Sequence, residues 1–166
     1  MITTLPLAAM LCLVVSATVP PPQAPAPPEE VAILAVIDRF MDAVSTNDAA
    51  LMSEIRLEGG FNIVERPGES GGTLVTRRVF KPGDGRPGAY RERYWDPIVH
   101  VRGSLAVVWT PYEFWIDGKT SHCGIDAFDM VKEKGVWRIA NAMWTVEREA
   151  CPALRPADPS RLRPAR

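Results

Sequence analysis

The sequence predicts an α+β domain in which helices come first and a curled antiparallel sheet follows. Three observations carry this. Apolar residues recur at helical spacing from Ile33 to Val44, the period falls towards two after Phe61, and ten of the thirteen aromatic residues, with all five tryptophans, lie between Tyr90 and Trp144. The chain has 166 residues, a formal charge of −1 and 46% hydrophobic content, enough for one packed domain. The near-neutral balance argues against a nucleic-acid partner, which would require a basic stripe.

Seven of the sixteen prolines fall in residues 1–28 and four in 152–166, so the body lies between two proline-rich ends. No charged side chain precedes Glu29, and Leu5 to Val15 is a short apolar run followed by the small residues Ser16 and Ala17. Residues 1–17 therefore read as a signal peptide cleaved after Ala17, and the protein as periplasmic or secreted, with no stable membrane span once the leader is removed. A weakly inserted anchor is the alternative. Residues 18–28 read as an extended proline-rich linker. Residues 152–166, with four arginines against one aspartate, read as a disordered basic tail.

Within the body, 29–151, Pro27-Pro28-Glu29-Glu30 starts a helix: proline is tolerated at the first turn and acids suit its positive end. Asn47 or Asp48 caps a second, shorter helix ending near Ile55 or Arg56, and Gly59-Gly60 stops it. Residues 61–89 are expected to hold one strand, an irregular stretch and a short helix or turn. Strands are expected near 89–94, 105–116, 121–131 and 136–147, with Asp117-Gly118 as a hairpin turn because both positions tolerate positive φ.

Taking Asp117-Gly118 as a two-residue loop fixes the faces of that hairpin by alternation. Trp109, Glu113, His122, Asp126 and Phe128 then share one largely apolar face. A four-residue loop at 132–135 adds Trp137, Ile139, Asn141 and Met143, and a three-residue loop adds Arg138, Ala140, Ala142 and Trp144 instead. The first, more apolar set is preferred for the side that meets the helices. Charges on such a face are costly unless paired or solvated, so Glu113, His122 and Asp126 mark either the mouth of a pocket or the sheet's wet rim. The tryptophans likewise either stack a planar ligand or fill the core and a dimer surface.

The stretch Glu92-Arg93-x-Trp95-Asp96-Pro97, Gly103-x-Leu105-Ala106-x-Val108-Trp109-x-Pro111-Tyr112-x-Phe114, Ser121-His122-Cys123-Gly124-x-Asp126-x-Phe128 and Trp137-Arg138-Ile139 resembles the NTF2-like superfamily, in particular its SnoaL-like, lumazine-binding branch of secreted bacterial proteins. The resemblance covers roughly 29–151. It implies a cone in which helices close a strongly bent sheet around a pocket, often as a homodimer. Ketosteroid isomerase shares the fold and uses an aspartate base with an oxyanion hole of tyrosine and a neutral aspartate. Ile125-Asp126-Ala127-Phe128 resembles the segment bearing the neutral aspartate. Phe40 or Met41 stands where the tyrosine is expected, and Gly59-Gly60-Phe61-Asn62 offers no carboxylate for the base beyond neighbouring Glu58.

The candidate catalytic residues are thus Asp126, His122 and Glu113, and the candidate pocket is lined by Trp109, Glu113, His122, Asp126, Phe128, Asn141 and Phe40. Cys123 and Cys151 are a candidate disulfide, provided the chain folds back at Pro152. His122 and Cys123 point to opposite faces, so no metal site is expected. No Gly-rich phosphate loop precedes a helix, and no GxSxG or HExxH motif occurs, so no cofactor is implied. Three functions fit: a binder of a small apolar or planar molecule, a cofactor-free isomerase, cyclase or hydrolase moving a proton with Asp126, and an interaction module with a vestigial pocket.

Overall fold

The computed structural model describes residues 28–83 and 88–164, and the expected signal peptide and almost all of the proline-rich linker lie outside these. Helix α1 (Pro28–Thr46) buries Ile33, Leu34, Val36, Ile37, Phe40, Met41 and Ala43 along one stripe. Its start is tied down by Glu29, which accepts hydrogen bonds from Lys132 Nζ at 2.7 Å and Trp137 Nε1 at 2.8 Å. Asn47 turns the chain at φ 53°, and the Asp48 carboxylate accepts from the Leu51 amide to cap α2 (Ala49–Ile55). Among the described residues no helix is long and apolar enough to cross a membrane.

Seven strands form one mixed sheet: β1 (Phe61–Pro67), β2 (Thr73–Val79), β3 (Tyr90–Tyr94), β4 (Ile98–Arg102), β5 (Leu105–Ile116), β6 (Lys119–Glu133) and β7 (Val136–Thr145). Their order is β2-β1-β7-β6-β5-β3, with β4 also paired to β5, and only β1 and β7 run parallel. Helices α1 and α2 lie against one side of this sheet, the α+β arrangement predicted from the sequence.

Two elements differ from expectation. Residues 61–79 form a β-hairpin rather than one strand and an irregular stretch. β4 was not expected: β3 and β4 are one edge strand broken at Trp95–Pro97, where Asp96 takes φ 48°. Both halves pair with β5, β3 along Tyr112–Ile116 and β4 along Leu105–Trp109.

The C-terminal segment is not a loose tail: residues 152–164 are seated on the body. Cys123 forms a disulfide with Cys151, the first residue of α3 (Cys151–Leu154). Trp95 Nε1 donates to the Leu154 carbonyl at 2.8 Å, and Arg155 grips Glu113. Beyond a 3-10 turn at Pro159–Arg161, Tyr94 and Arg163 exchange backbone hydrogen bonds of 2.7 Å, and Arg163 pairs with Asp38 at 2.8 Å. Arg155, Arg161 and Arg163 are latches, each meeting a carboxylate on the body.

Two bulges set the faces of the sheet. The hairpin begins as expected, with Ile116 opposite Lys119 and Trp115 opposite Thr120, but the register then slips and Phe114 faces His122. Ser121 is the extra residue. From there on, Thr110 faces Asp126 and Val108 faces Phe128. A second slip leaves Ala140 extra, with Ile139 opposite Met130 and Asn141 opposite Asp129. Since a one-residue shift turns every later side chain over, the face assignment from a regular hairpin is corrected strand by strand.

The candidate functional site

On the concave side, cross-strand rows read Glu92–Phe114–His122, Tyr94–Tyr112–Gly124, Thr110–Asp126–Trp144–Val64 and Val108–Phe128–Ala142–Asn62. Rows of this kind put neighbouring side chains within contact distance. With Phe40, Ala43 and Val44 of α1 as roof and Met52 and Arg56 beside α2, they enclose a cavity of about 270 Å³. Its lining includes Phe40, Tyr112, Phe114, His122, Phe128 and Trp144 as rings, and Glu92, Asp126, Arg56 and Asn62 as polar groups. The volume suits a small ligand.

The structure brings four of the candidate residues, Phe40, His122, Asp126 and Phe128, to this cavity. It does not bring the other three. Trp109 is turned to the convex face by the Ser121 bulge and is 51% exposed. Glu113 is on the convex side too, fully buried beneath the C-terminal segment. Arg155 Nε donates to it at 3.0 Å, Thr120 Oγ1 at 2.7 Å and Arg93 at 3.4 Å. Burial alone would raise the Glu113 pKa, but these donors and the arginine charges hold it below the ordinary value, so it is an ionised anchor. Asn141 is turned outward by the Ala140 bulge, where it accepts from the Phe61 amide at 2.9 Å and donates to Asp129 at 3.0 Å. Along β7, therefore, Trp137 and Ile139 follow the four-residue-loop expectation, while Ala142 and Trp144 follow the other.

Asp126 is 3% exposed, and its Oδ2 has no hydrogen-bond partner. Burial, reinforced by the Glu92 carboxylate, pushes its pKa well above the usual aspartate range. Glu92, 7% exposed, is pushed up to about 8 by burial. Both are protonated in the main at neutral pH, and a neutral carboxyl group donates as well as accepts. His122 is driven the other way, down to about 4, by burial and then by the Arg148 and Arg66 charges. It is a neutral ring there, with Nδ1 3.0 Å from Ser121 Oγ and edge-on to Tyr112.

Gly124 makes room for this arrangement. A Cβ there would lie 2.2 Å from the Thr145 carbonyl and 2.9 Å from the Tyr112 ring. The bare backbone lets Tyr112 lean over and donate to that carbonyl at 2.6 Å. Tyr112 is the tyrosine beside Asp126, supplied by β5 rather than by the helix position that Phe40 occupies.

Sequence reasoning missed Glu92 and Arg56. Glu92 alternates with Tyr90 and Tyr94 on a five-residue strand, a pattern that marks it as inward-facing once β3 is recognised. Arg56, at the C-cap of α2, is 4% exposed. Its Nη1 donates to Asn62 Oδ1 at 2.7 Å and its guanidinium lies 4.3 Å from the Phe80 ring centroid, contacts that no sequence pattern announces.

Among the described residues, one group of three possible metal ligands lies together: Glu113, Cys123 and Cys151. The two sulfurs are joined to each other and Glu113 to its cations, so this is a structural knot.

Comparison with solved structures agrees on the architecture. An NTF2-like protein from Cytophaga hutchinsonii superposes with a TM-score of 0.56 at 17% identity, over 73% of this chain and 99% of that one. A function-unknown protein from Mycobacterium tuberculosis gives 0.55 at 21% identity, over 79% and 80%. An NTF2-like protein with a cystatin-like fold from Novosphingobium aromaticivorans gives 0.52 at 15%, over 76% and 88%. No protein-family model and no curated protein matches the sequence. The fold is that of the NTF2-like proteins: an α+β cone with a hollow between helix and sheet.

Proposed function

We infer that this is an exported protein that binds a small, planar and largely apolar molecule in the cavity between α1 and the concave sheet. The observation that carries the reading is Asp126: a carboxyl group buried in an aromatic-walled hollow with one oxygen unpartnered. Burying a polar atom with nothing to bond is costly, and a ligand that meets it recovers that energy. The Cys123–Cys151 disulfide supports export, because such bonds persist in oxidising compartments. The SnoaL-like resemblance between Trp95 and Trp137 supports the same reading.

The test is a thermal-shift screen of planar aromatic compounds against the wild type and Trp144→Ala. A saturable rise in Tm, lost or much reduced in the variant, supports a ligand cavity. No shift with any compound counts against it.

A second reading has its own observation, the neutral pair Glu92 and Asp126. Acids raised towards neutrality suit general acid–base work on a carbonyl or epoxide without a cofactor. Turnover that collapses in Asp126→Asn while ligand affinity persists would favour it.

The convex face supports self-association. Ile98, Trp109, Ala127, Met143 and Ile63 form one apolar row across five strands, with Ile98 and Trp109 about half exposed. A homodimer would cover it.

A further inference from the structure

We propose that the ligand of this cavity is a small aromatic carboxylate, its anion seated on Arg56; this rests on the reading of the cavity as a ligand site. Arg56 is 4% exposed, yet among the described residues no carboxylate lies within 4 Å of it. Its partners are neutral: Asn62 Oδ1, the Phe61 carbonyl and the Phe80 ring. A buried cation without a counter-charge is strongly unfavourable, so the site is incomplete as it stands.

The geometry of the guanidinium specifies what completes it. Nη1 is committed to Asn62, Nη2 reaches the Phe61 carbonyl only at 3.4 Å, and Nε has no partner. The Nε–Nη2 edge is the one left with unmade hydrogen bonds, and such an edge fits a carboxylate with two parallel hydrogen bonds.

The rest of the lining accepts an anion. Arg78 adds a positive charge that offsets the Asp48 carboxylate at the start of α2. Burial keeps Glu92 and Asp126 largely uncharged at neutral pH, so neither repels the ligand. Phe40, Phe128 and Trp144 supply the faces on which an aromatic body packs.

The test is calorimetric titration of the whole protein at pH 7 with 2-naphthoate, 2-naphthamide and 2-naphthylmethylammonium, which share a ring system and differ in charge. The expected result is that 2-naphthoate binds about tenfold or more tightly than either of the others, and more weakly as salt is raised. Arg56→Met then abolishes that preference, lowering the affinity for the carboxylate much more than that for the amide. If Arg56→Met does not fold, the wild-type ranking and its salt dependence decide the question. Equal affinity for naphthoate and naphthamide overturns the proposal but leaves the cavity as a ligand site. A preference for the ammonium, lost in Asp126→Asn, does the same. Binding of none of the three overturns both the proposal and the reading on which it rests.

Discussion

Glu92 and Asp126 reach the same cavity from β3 and β6, two strands separated by β5, and they are its two buried carboxyl groups. Between their rows lies the Tyr94–Tyr112–Gly124 row, whose glycine makes room for the Tyr112 ring. The chain thus gathers two acids in one aromatic-lined hollow, where burial keeps them largely protonated.

Stability should therefore fall as pH rises through neutrality. A folded-state pKa of about 8 for Glu92 against 4.5 unfolded means that the folded state binds the extra proton between these values. Its stabilisation is full below pH 4.5 and lost as pH climbs through 8. His122 opposes it between about 4 and 6.5, where only the unfolded ring is protonated, and Arg66 and Arg148 face that ring. Above 6.5 the carboxyl groups act without that opposition, with a slope of about 1.4 kcal/mol per pH unit for each proton. Urea denaturation of the wild type and Glu92→Gln from pH 6.5 to 8.5 checks this; the variant should be distinctly flatter.

Asp126→Asn should be the more stable protein at pH 7, because the amide resembles the neutral acid without the cost of holding a proton that the unfolded carboxyl group releases. At pH 4.5 the advantage should be much smaller, since the unfolded carboxyl group is then partly protonated as well. Thermal denaturation at the two pH values measures both.

Reducing the disulfide, or replacing both cysteines by serine, should lower stability by about 3 kcal/mol given a sequence separation of 28 residues. The loss should be accompanied by proteolytic cleavage after Arg161, since Cys151 begins the segment that this residue latches through Asp96. Limited trypsin digestion with and without reductant reports it.

Trp109→Asp should leave the monomer's fold intact, because the side chain is half exposed. Should the apolar row on the convex face hold two copies together, sedimentation of the variant should show the monomer where the wild type is a dimer.

Much of the fold was legible because it rests on periodicity. The stripe from Ile33 to Val44 and the Asp48 cap set α1 and α2, β5 starts and ends where alternation and Asp117-Gly118 place it, and α1 begins at Pro28. The site was half legible. Asp126, His122 and Phe128 lie on one strand, so their mutual parity survives any slip in pairing. Trp109, Glu113 and Asn141 depended on pairing across strands, and bulges at Ser121 and Ala140 reversed it; neither bulge contains the glycine that would have announced one. Arg56 was hidden for a different reason. An arginine closing a short helix reads as solvated, and only the packing of Asn62 and Phe80 against it buries the charge. The basic tail misled similarly, since Arg155, Arg161 and Arg163 are bonded to Glu113, Asp96 and Asp38 far back in the chain.

The most direct measurement is the carbon NMR titration of the Asp126 carboxyl group, alone and with 2-naphthoate bound. A signal at the protonated position at pH 7 that moves when the compound saturates the protein is the predicted result. A signal already ionised at pH 6, and indifferent to added compound, would contradict a cavity that keeps this side chain neutral and holds a ligand against it.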